Sequence, residues 1–167
     1  MAKLNDYHVI VAGTDGSSLA APTIARAAWL AAHENAELVI VCAYSELPRR
    51  AEAKNVATLG GDTRLGQVMG RTAASAAIAS AVAVARQLRA TISAALLVDG
   101  EPAAALLSVA AERKADLIVI GARHERSLAE RLLGTVATEV SKSAACDVLI
   151  VRPNGEQGEL EVPEDQP

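Results

Sequence analysis

The sequence predicts an α/β fold, a three-layer α/β/α sandwich with a five-stranded parallel sheet. Three observations support this. Short β-branched apolar runs alternate with longer stretches of helical composition. The runs are apolar almost without interruption, as strands covered on both faces must be. Their order, β-α-β-(loop)-α-β-α-β-α-β, requires crossover connections, which place helices on both sides of a parallel sheet.

Tyr7–Gly13 (YHVIVAG) reads as the first strand, with His8 inside it and a glycine at its end. Asp15-Gly16-Ser17-Ser18 supplies turn and N-cap chemistry. A helix over 19–33 follows, with Leu19, Ile24, Ala27, Ala28 and Ala31 on one face. Pro22 fits it only in the first turn. Glu37–Ala43 is the second strand, and 45–66 a polar connection, either a flap or a solvated crossover. An Ala-rich helix over 67–89 leads to the third strand, Thr91–Val98. Asp99-Gly100-Glu101-Pro102 opens a helix that runs to about Lys114, with Pro at a position where a missing N–H costs nothing. Ala115–Gly121 is the fourth strand, 122–131 a loop with three arginines, 134–144 a short helix, and Asp147–Arg152 the fifth strand.

The chain of 167 residues suits one domain. The domain is expected over 1–152, followed by a disordered acidic tail over 153–167. That last stretch holds five acids and no base, whereas 1–152 carries 16 bases against 15 acids. The formal charge of −4 is therefore a property of the tail. Aromatic residues make up 2%, too few for a stacking platform for single-stranded nucleic acid. No apolar run is long enough for a membrane span, and no secretion signal is visible. Nucleic acid and membrane are excluded as partners on this ground. Cys42 and Cys146 are far apart and outside any CxxC, which suggests buried small side chains in a reducing cytoplasm.

Familiar catalytic signatures are missing. The sequence contains no GxxxxGK[ST], no GxGxxG after the first strand and no GxSxG. His8, His33 and His124 have no partners at metal-ligand spacing, so no catalytic residue is assigned.

Two loops carry the remaining chemistry. Gly13-Thr14-Asp15-Gly16-Ser17 follows the first strand and offers backbone N–H groups, hydroxyls and one carboxylate. Asp15 is either a turn residue or a ligand contact. Its place at the carboxyl end of a strand favours the latter. The second segment runs Gly121-Ala122-Arg123-His124, then nine residues, then Gly134-Thr135. Glycines let a backbone approach phosphate, and Gly134 and Thr135 open a helix whose N–H groups face an anion.

VIVAGTDGS, VDGEP, ADLIVIGAR and LLGTVATEV followed by CDVLIVRP occur in this order over residues 7–153. In that combination the chain resembles the universal stress protein family. The resemblance implies an adenine nucleotide alpha hydrolase-like fold. It also implies the phosphate motif G-x2-G-x9-G-[ST], matched at Gly121, Gly134 and Thr135, while His124 stands where the second glycine belongs. A left-handed backbone at His124 would cost roughly 1–2 kcal/mol. Charge-assisted contacts from Arg123, His124, Arg126 or Arg131 would offset it. By the same resemblance, Gly13, Thr14 and Asp15 flank nucleoside and phosphates, and Ala43 approaches the base. Ile120 lines the pocket, and Val136 follows Thr135. Tyr44 is either an aromatic cover for adenine or an exposed strand-end residue.

The expected function is an adenine-nucleotide-binding stress-response regulator. ATP is the first ligand, with Mg²⁺ on Asp15, and cyclic AMP is the alternative. A nucleotide-free interaction module is the second reading. An enzyme is the third, with slow ATP hydrolysis at most. The fifth strand (Asp147, Val148, Leu149, Ile150, Val151) is apolar and would lie at a sheet edge. That invites pairing with its copy, and the resemblance implies the same homodimer.

Overall fold

The computed structural model describes residues 6–46, 68–122 and 134–152. Arg123, His124, Arg126, Arg131, most of the 45–66 connection and the acidic tail lie outside the described residues. Among those described, the elements run β1 (Val9–Gly13), α1 (Ala20–Glu34), β2 (Glu37–Ser45), β3 (Val68–Met69), α2 (Arg71–Gln87), β4 (Thr91–Asp99), α3 (Pro102–Arg113), β5 (Leu117–Gly121), α4 (Thr135–Ser143) and β6 (Asp147–Val151).

All strand pairs are parallel, and the five long strands lie in the order β4-β2-β1-β5-β6. The chain moves outward from β1 to β4 and then returns to β5. The strand order therefore reverses between β1 and β5, where Gly13 and Gly121 end their strands.

The two-residue β3 was not expected. It pairs with Tyr44 and Ser45 of β2. The carbonyls of Val41 and Ser45, two pleats apart on one side of β2, accept N–H groups from Thr14 and Gly70, both at 2.9 Å. So β3 continues the sheet on the β1 side, beyond the point where β1 stops.

Alternation along the strands divides the core. Ile10, Ala12, Leu38, Ile40 and Val119 meet Ile24, Ala27, Ala28 and Ala31 of α1 and Ala81 and Ala85 of α2. Val11, Val39, Val41, Ile118 and Ile120 meet Leu106 and Val109 of α3 and Val140 of α4. Buried alanines let α1 and α2 lie close to the sheet, so branched aliphatic side chains fill the space without aromatics. Each large aliphatic side chain buried this way contributes about 1.5–3 kcal/mol.

Helix ends depart from expectation in one place. Asp15-Gly16-Ser17-Ser18 does not cap α1. Leu19 is its N-cap and makes no side-chain bond to the helix. Asp15 instead accepts the Ser17 N–H on Oδ1 at 2.9 Å, folding the loop on itself. Pro22 lies in the first turn, and Pro102 opens α3 as expected. Asn35 and Lys114 close α1 and α3 in left-handed conformations.

The amino ends of the strands are tied by polar contacts. Asp116 accepts the N–H groups of His8 and Val9 on Oδ2, at 2.7 and 2.9 Å. The Tyr7 hydroxyl donates to Asp147 Oδ2 at 3.0 Å, and this bond raises the Tyr7 pKa. His8 is exposed and precedes β1 rather than lying within it.

Candidate functional site

A cleft of about 280 Å³ opens at the carboxyl ends of the strands, at the reversal of strand order. In a parallel sheet the helices run back against the strands, so their N-termini gather at this end. The cleft is lined by Ala20 and Thr23 of α1, Pro102 of α3 and Thr135, Val136 and Ala137 of α4. Helix starts leave N–H groups without intrahelical partners and carry partial positive charge. The cleft therefore suits an anion.

Its walls come from both expected loops. Gly13, Thr14 and Asp15 form one side, and Gly121, Ala122, Gly134 and Thr135 the other. Val41, Ala43, Leu106 and Ile120 supply the apolar surface. Every described residue of the expected site lines this one cleft: Gly13, Thr14, Asp15, Ala43, Ile120, Gly121, Gly134, Thr135 and Val136. Arg123 and His124 lie outside the described residues.

Local geometry explains the residue types. A Cβ on Gly13 would lie 3.2 Å from Leu106 Cδ2. Gly134 has φ 79 and ψ 162, an extended left-handed conformation essentially confined to glycine. It ends the approach to α4 without a side chain over the first turn. Thr14 is buried; its N–H donates to Val41 O at 2.9 Å. That bond fixes the loop to β2.

Asp15 is half-buried and is, among the described residues, the carboxylate that lines the cleft. Among the described residues no group of three or more His, Cys, Asp or Glu could hold a metal ion. A divalent ion at Asp15 would need most of its oxygens from a ligand. That is how Mg²⁺ is bound with phosphates.

Tyr44 requires a correction. It is buried, neither exposed nor part of the cleft wall, and packs with Cys42, Val68, Ala74 and Ala77. The cause is the strand period: Ala43 faces the cleft, so its neighbours Cys42 and Tyr44 face α2. Burial, with a smaller contribution from Asp15, pushes the Cys42 thiol up to about 12. Cys146 is partly buried, and its thiol is also raised by burial first.

Ser17 of the first expected loop lines the cleft too, and Ser18, Leu19, Thr23, Val41, Pro102 and Leu106 join it without having been expected there. Two of them carried a sequence signal. Val41 shares the face of Ala43 by alternation, and Pro102 opens the helix after the third strand. Thr23 carried none, because its place depends on how α1 crosses the end of β5.

The universal stress protein family model matches residues 6–152. The chain belongs to the universal stress protein family. A universal stress protein of Mycobacterium tuberculosis is 34% identical over 148 residues, covering 89% of this chain and 98% of the relative. A universal stress protein crystallised with cyclic AMP has 32% identity and a TM-score of 0.65, and covers 90% of this chain and 100% of that one. A universal stress protein of Archaeoglobus fulgidus in complex with dAMP has 22% identity and a TM-score of 0.62, covering 87% of this chain and 98% of that one. At that identity it speaks for the fold alone. The universal stress protein fold thus accounts for the sheet order and the helices on both faces. No helix among the described residues is long and apolar enough to cross a membrane.

Proposed function

We propose that this universal stress protein binds an adenine nucleotide in the cleft between β1 and β5 and acts as a regulator in the cytoplasm rather than as a catalyst. The carrying observation is convergence. The Thr14–Asp15 loop and the Gly134–Thr135 helix start, distant in sequence, face one cleft at the reversal of strand order. Phosphate is served by N–H groups of α4, and the base by the Ala43 backbone with Val41, Leu106 and Ile120 around it. With Tyr44 on the other face of the sheet, adenine has aliphatic walls and no described aromatic partner.

Two ligands fit this class. ATP with Mg²⁺ is favoured by the glycine spacing, with Asp15 completing a metal shell supplied mainly by phosphates. Cyclic AMP has the stronger support. A 32% identical neighbour was crystallised with it, and a single compact phosphate asks less of the position where His124 replaces glycine. Asp15 has no companion base in the described cleft, so hydrolysis is slow at most.

The test is direct. Nucleotide released from denatured protein is identified by mass spectrometry, and melting shifts are recorded with cyclic AMP, AMP and ATP–Mg²⁺. Ligand at 100 times its Kd adds about 2.7 kcal/mol. Gly134→Asp removes the shift by placing a carboxylate at the phosphate position. No shift with any of the three overturns the proposal and favours a nucleotide-free interaction module, the reading that His124 supports.

We also propose a homodimer through β6. Val148, Leu149, Ile150 and Val151 are only partly buried, and among the described residues β6 pairs with β5 alone. Light scattering after size exclusion should give twice the chain mass, and Leu149→Lys should halve it. A monomer at micromolar concentration overturns this.

A further inference from the structure

The order of the long strands ends on β6 at one side and on β4 at the other. β4 is nine residues long, against five in β6, and among the described residues it pairs with β2 alone. From Thr91 to Val98 it carries neither charge nor proline, the devices that usually blunt an exposed edge. Its one irregularity is an extra residue, Ser93, where the register on β2 shifts. The Gly100 N–H donates to Tyr44 O on β2 at 3.0 Å. Backbone groups alternate along a strand, so Ala94, Leu96 and Val98 also turn theirs to β2. Ala95, Leu97 and Asp99 turn theirs outward.

The two ends of this edge carry opposite charge. Arg86 and Arg89 stand at its amino end, Asp99 and Glu101 at its carboxyl end, and all four are exposed. We propose that β4 pairs antiparallel with β4 of a second copy, across a two-fold axis at Ala95. The axis sets Arg89 of each copy beside Glu101 of the other, to within the one residue that Ser93 adds. Parallel pairing in register would set base against base and acid against acid. Ala95 is exposed and small, and its outward N–H and C=O let the two copies exchange both hydrogen bonds at the axis.

Both faces of the sheet suit this pairing. Ala94, Leu96 and Val98 lie at the margin of the core under α3 and are only partly buried. The second copy adds its own apolar row, with Ala94 opposite Leu96, a small side chain against a large one. On the other face α2 packs over β4. Exposed positions of α2 include Ser75, Ala79 and Ala83, so two α2 helices approach without bulky side chains between them. A contact made of one strand pair and its flanks is small, and it forms above micromolar concentration. It is distinct from the β6 dimer. No residue of β4 lines the cleft, so the contact does not rest on the nucleotide reading. With β6 paired as well, two-fold contacts at opposite edges run the sheet on from dimer to dimer.

The test uses the full chain carrying Leu149→Lys, in which β6 is blocked. Sedimentation velocity is recorded from micromolar to submillimolar concentration. The mass should rise from one chain to two and stop there. Ala95→Lys, which puts a charge at the axis, should abolish the rise. Arg89→Glu and Glu101→Arg should each weaken association roughly tenfold by setting like charges together, and the two combined should restore it. Thermal melts check that each variant folds. Should Leu149→Lys fail to fold, the parent is compared with Ala95→Lys, and the parent alone should grow beyond its micromolar mass. A mass that does not change with concentration, or a rise that survives Ala95→Lys, overturns the proposal. Growth past two chains in Leu149→Lys overturns the two-fold geometry. Failure of the combined charge exchange to restore association overturns the antiparallel register.

Discussion

Gly121 and Thr23 are fitted to one another: a Cβ on Gly121 would sit 2.8 Å from Thr23 Oγ1. That hydroxyl is already committed, donating to Leu19 O at 2.8 Å. The pair locks the first turn of α1 over the end of β5, and with it one corner of the cleft. Gly121→Ala should cost about 1–3 kcal/mol of stability as an overpacking change. Adding Thr23→Ala should recover part of that loss. Urea unfolding of the two single variants and the double variant gives the coupling; strictly additive effects would refute the fit.

Gly134 tests the opening of α4. Its φ of 79 and ψ of 162 disfavour any side chain, so Gly134→Ala carries strain of about 1–3 kcal/mol. Nucleotide affinity should fall at least tenfold as the first turn shifts. Stability should fall by about that strain and no more, because Gly134 is only partly buried and an added methyl overpacks nothing. Calorimetry with thermal melts separates the two effects.

Asp15 has two roles that one substitution can divide. Its Oδ1 holds the Ser17 N–H. Asn keeps that acceptor and removes the charge, whereas Ala removes both. Asp15→Asn should leave the unfolding free energy within about 0.5 kcal/mol of the parent. It should weaken ATP–Mg²⁺ more than cyclic AMP. Asp15→Ala should weaken both ligands. Equal responses of both ligands to Asn would refute a metal role.

Tyr44 gives a contrast. Buried against α2 and not in the cleft, it predicts a stability phenotype without a binding one. Tyr44→Ala should cost about 3–5 kcal/mol, as for other large aromatic truncations. Tyr44→Phe should leave nucleotide affinity unchanged; a loss on Tyr44→Phe would return the residue to the adenine site.

Cys42 sets an alkaline limit. Its folded pKa of about 12 lies above the ordinary thiol value of 9.0. The folded state therefore holds its proton while the unfolded state loses it. The stability linked to this thiol is complete below about pH 9 and declines as pH rises toward 12. Cys146 and Tyr7 are raised as well and add to the decline in the same direction. Melting temperature should fall over that window, and less steeply in Cys42→Ala. Native protein at pH 7 should show no reaction of Cys42 with an aromatic disulfide until it is unfolded.

The sequence made the sheet legible because strand hydrophobicity was continuous and each turn had its own chemistry, as in Gly100-Glu101-Pro102. The cleft followed from the same logic: strand ends marked by Gly13 and Gly121 bring their loops together wherever strand order reverses. Other features depended on three-dimensional context. Strand β3 is two residues long, too short for periodicity, and exists because Ser45 presents a carbonyl beyond the end of β1. Tyr44 is next to Ala43 in sequence but on the opposite face of β2 by alternation, so it packs against α2. The cap expected from Asp15-Gly16-Ser17-Ser18 failed because the Asp15 carboxylate closes a tighter local ring two residues on.

Trp29 is the chain's one tryptophan; it is 52% exposed and stacks on His33 at 5.2 Å. It lies nine residues beyond Ala20, where α1 meets the cleft, which is about 13 Å along the helix axis. The protein's emission is thus generated away from the place where a nucleotide would enter, by a ring already wetted in the native state. Optically the molecule is a poor witness to its own binding. A flat fluorescence titration would reflect where the fluorophore stands and would say nothing about whether the cleft is filled.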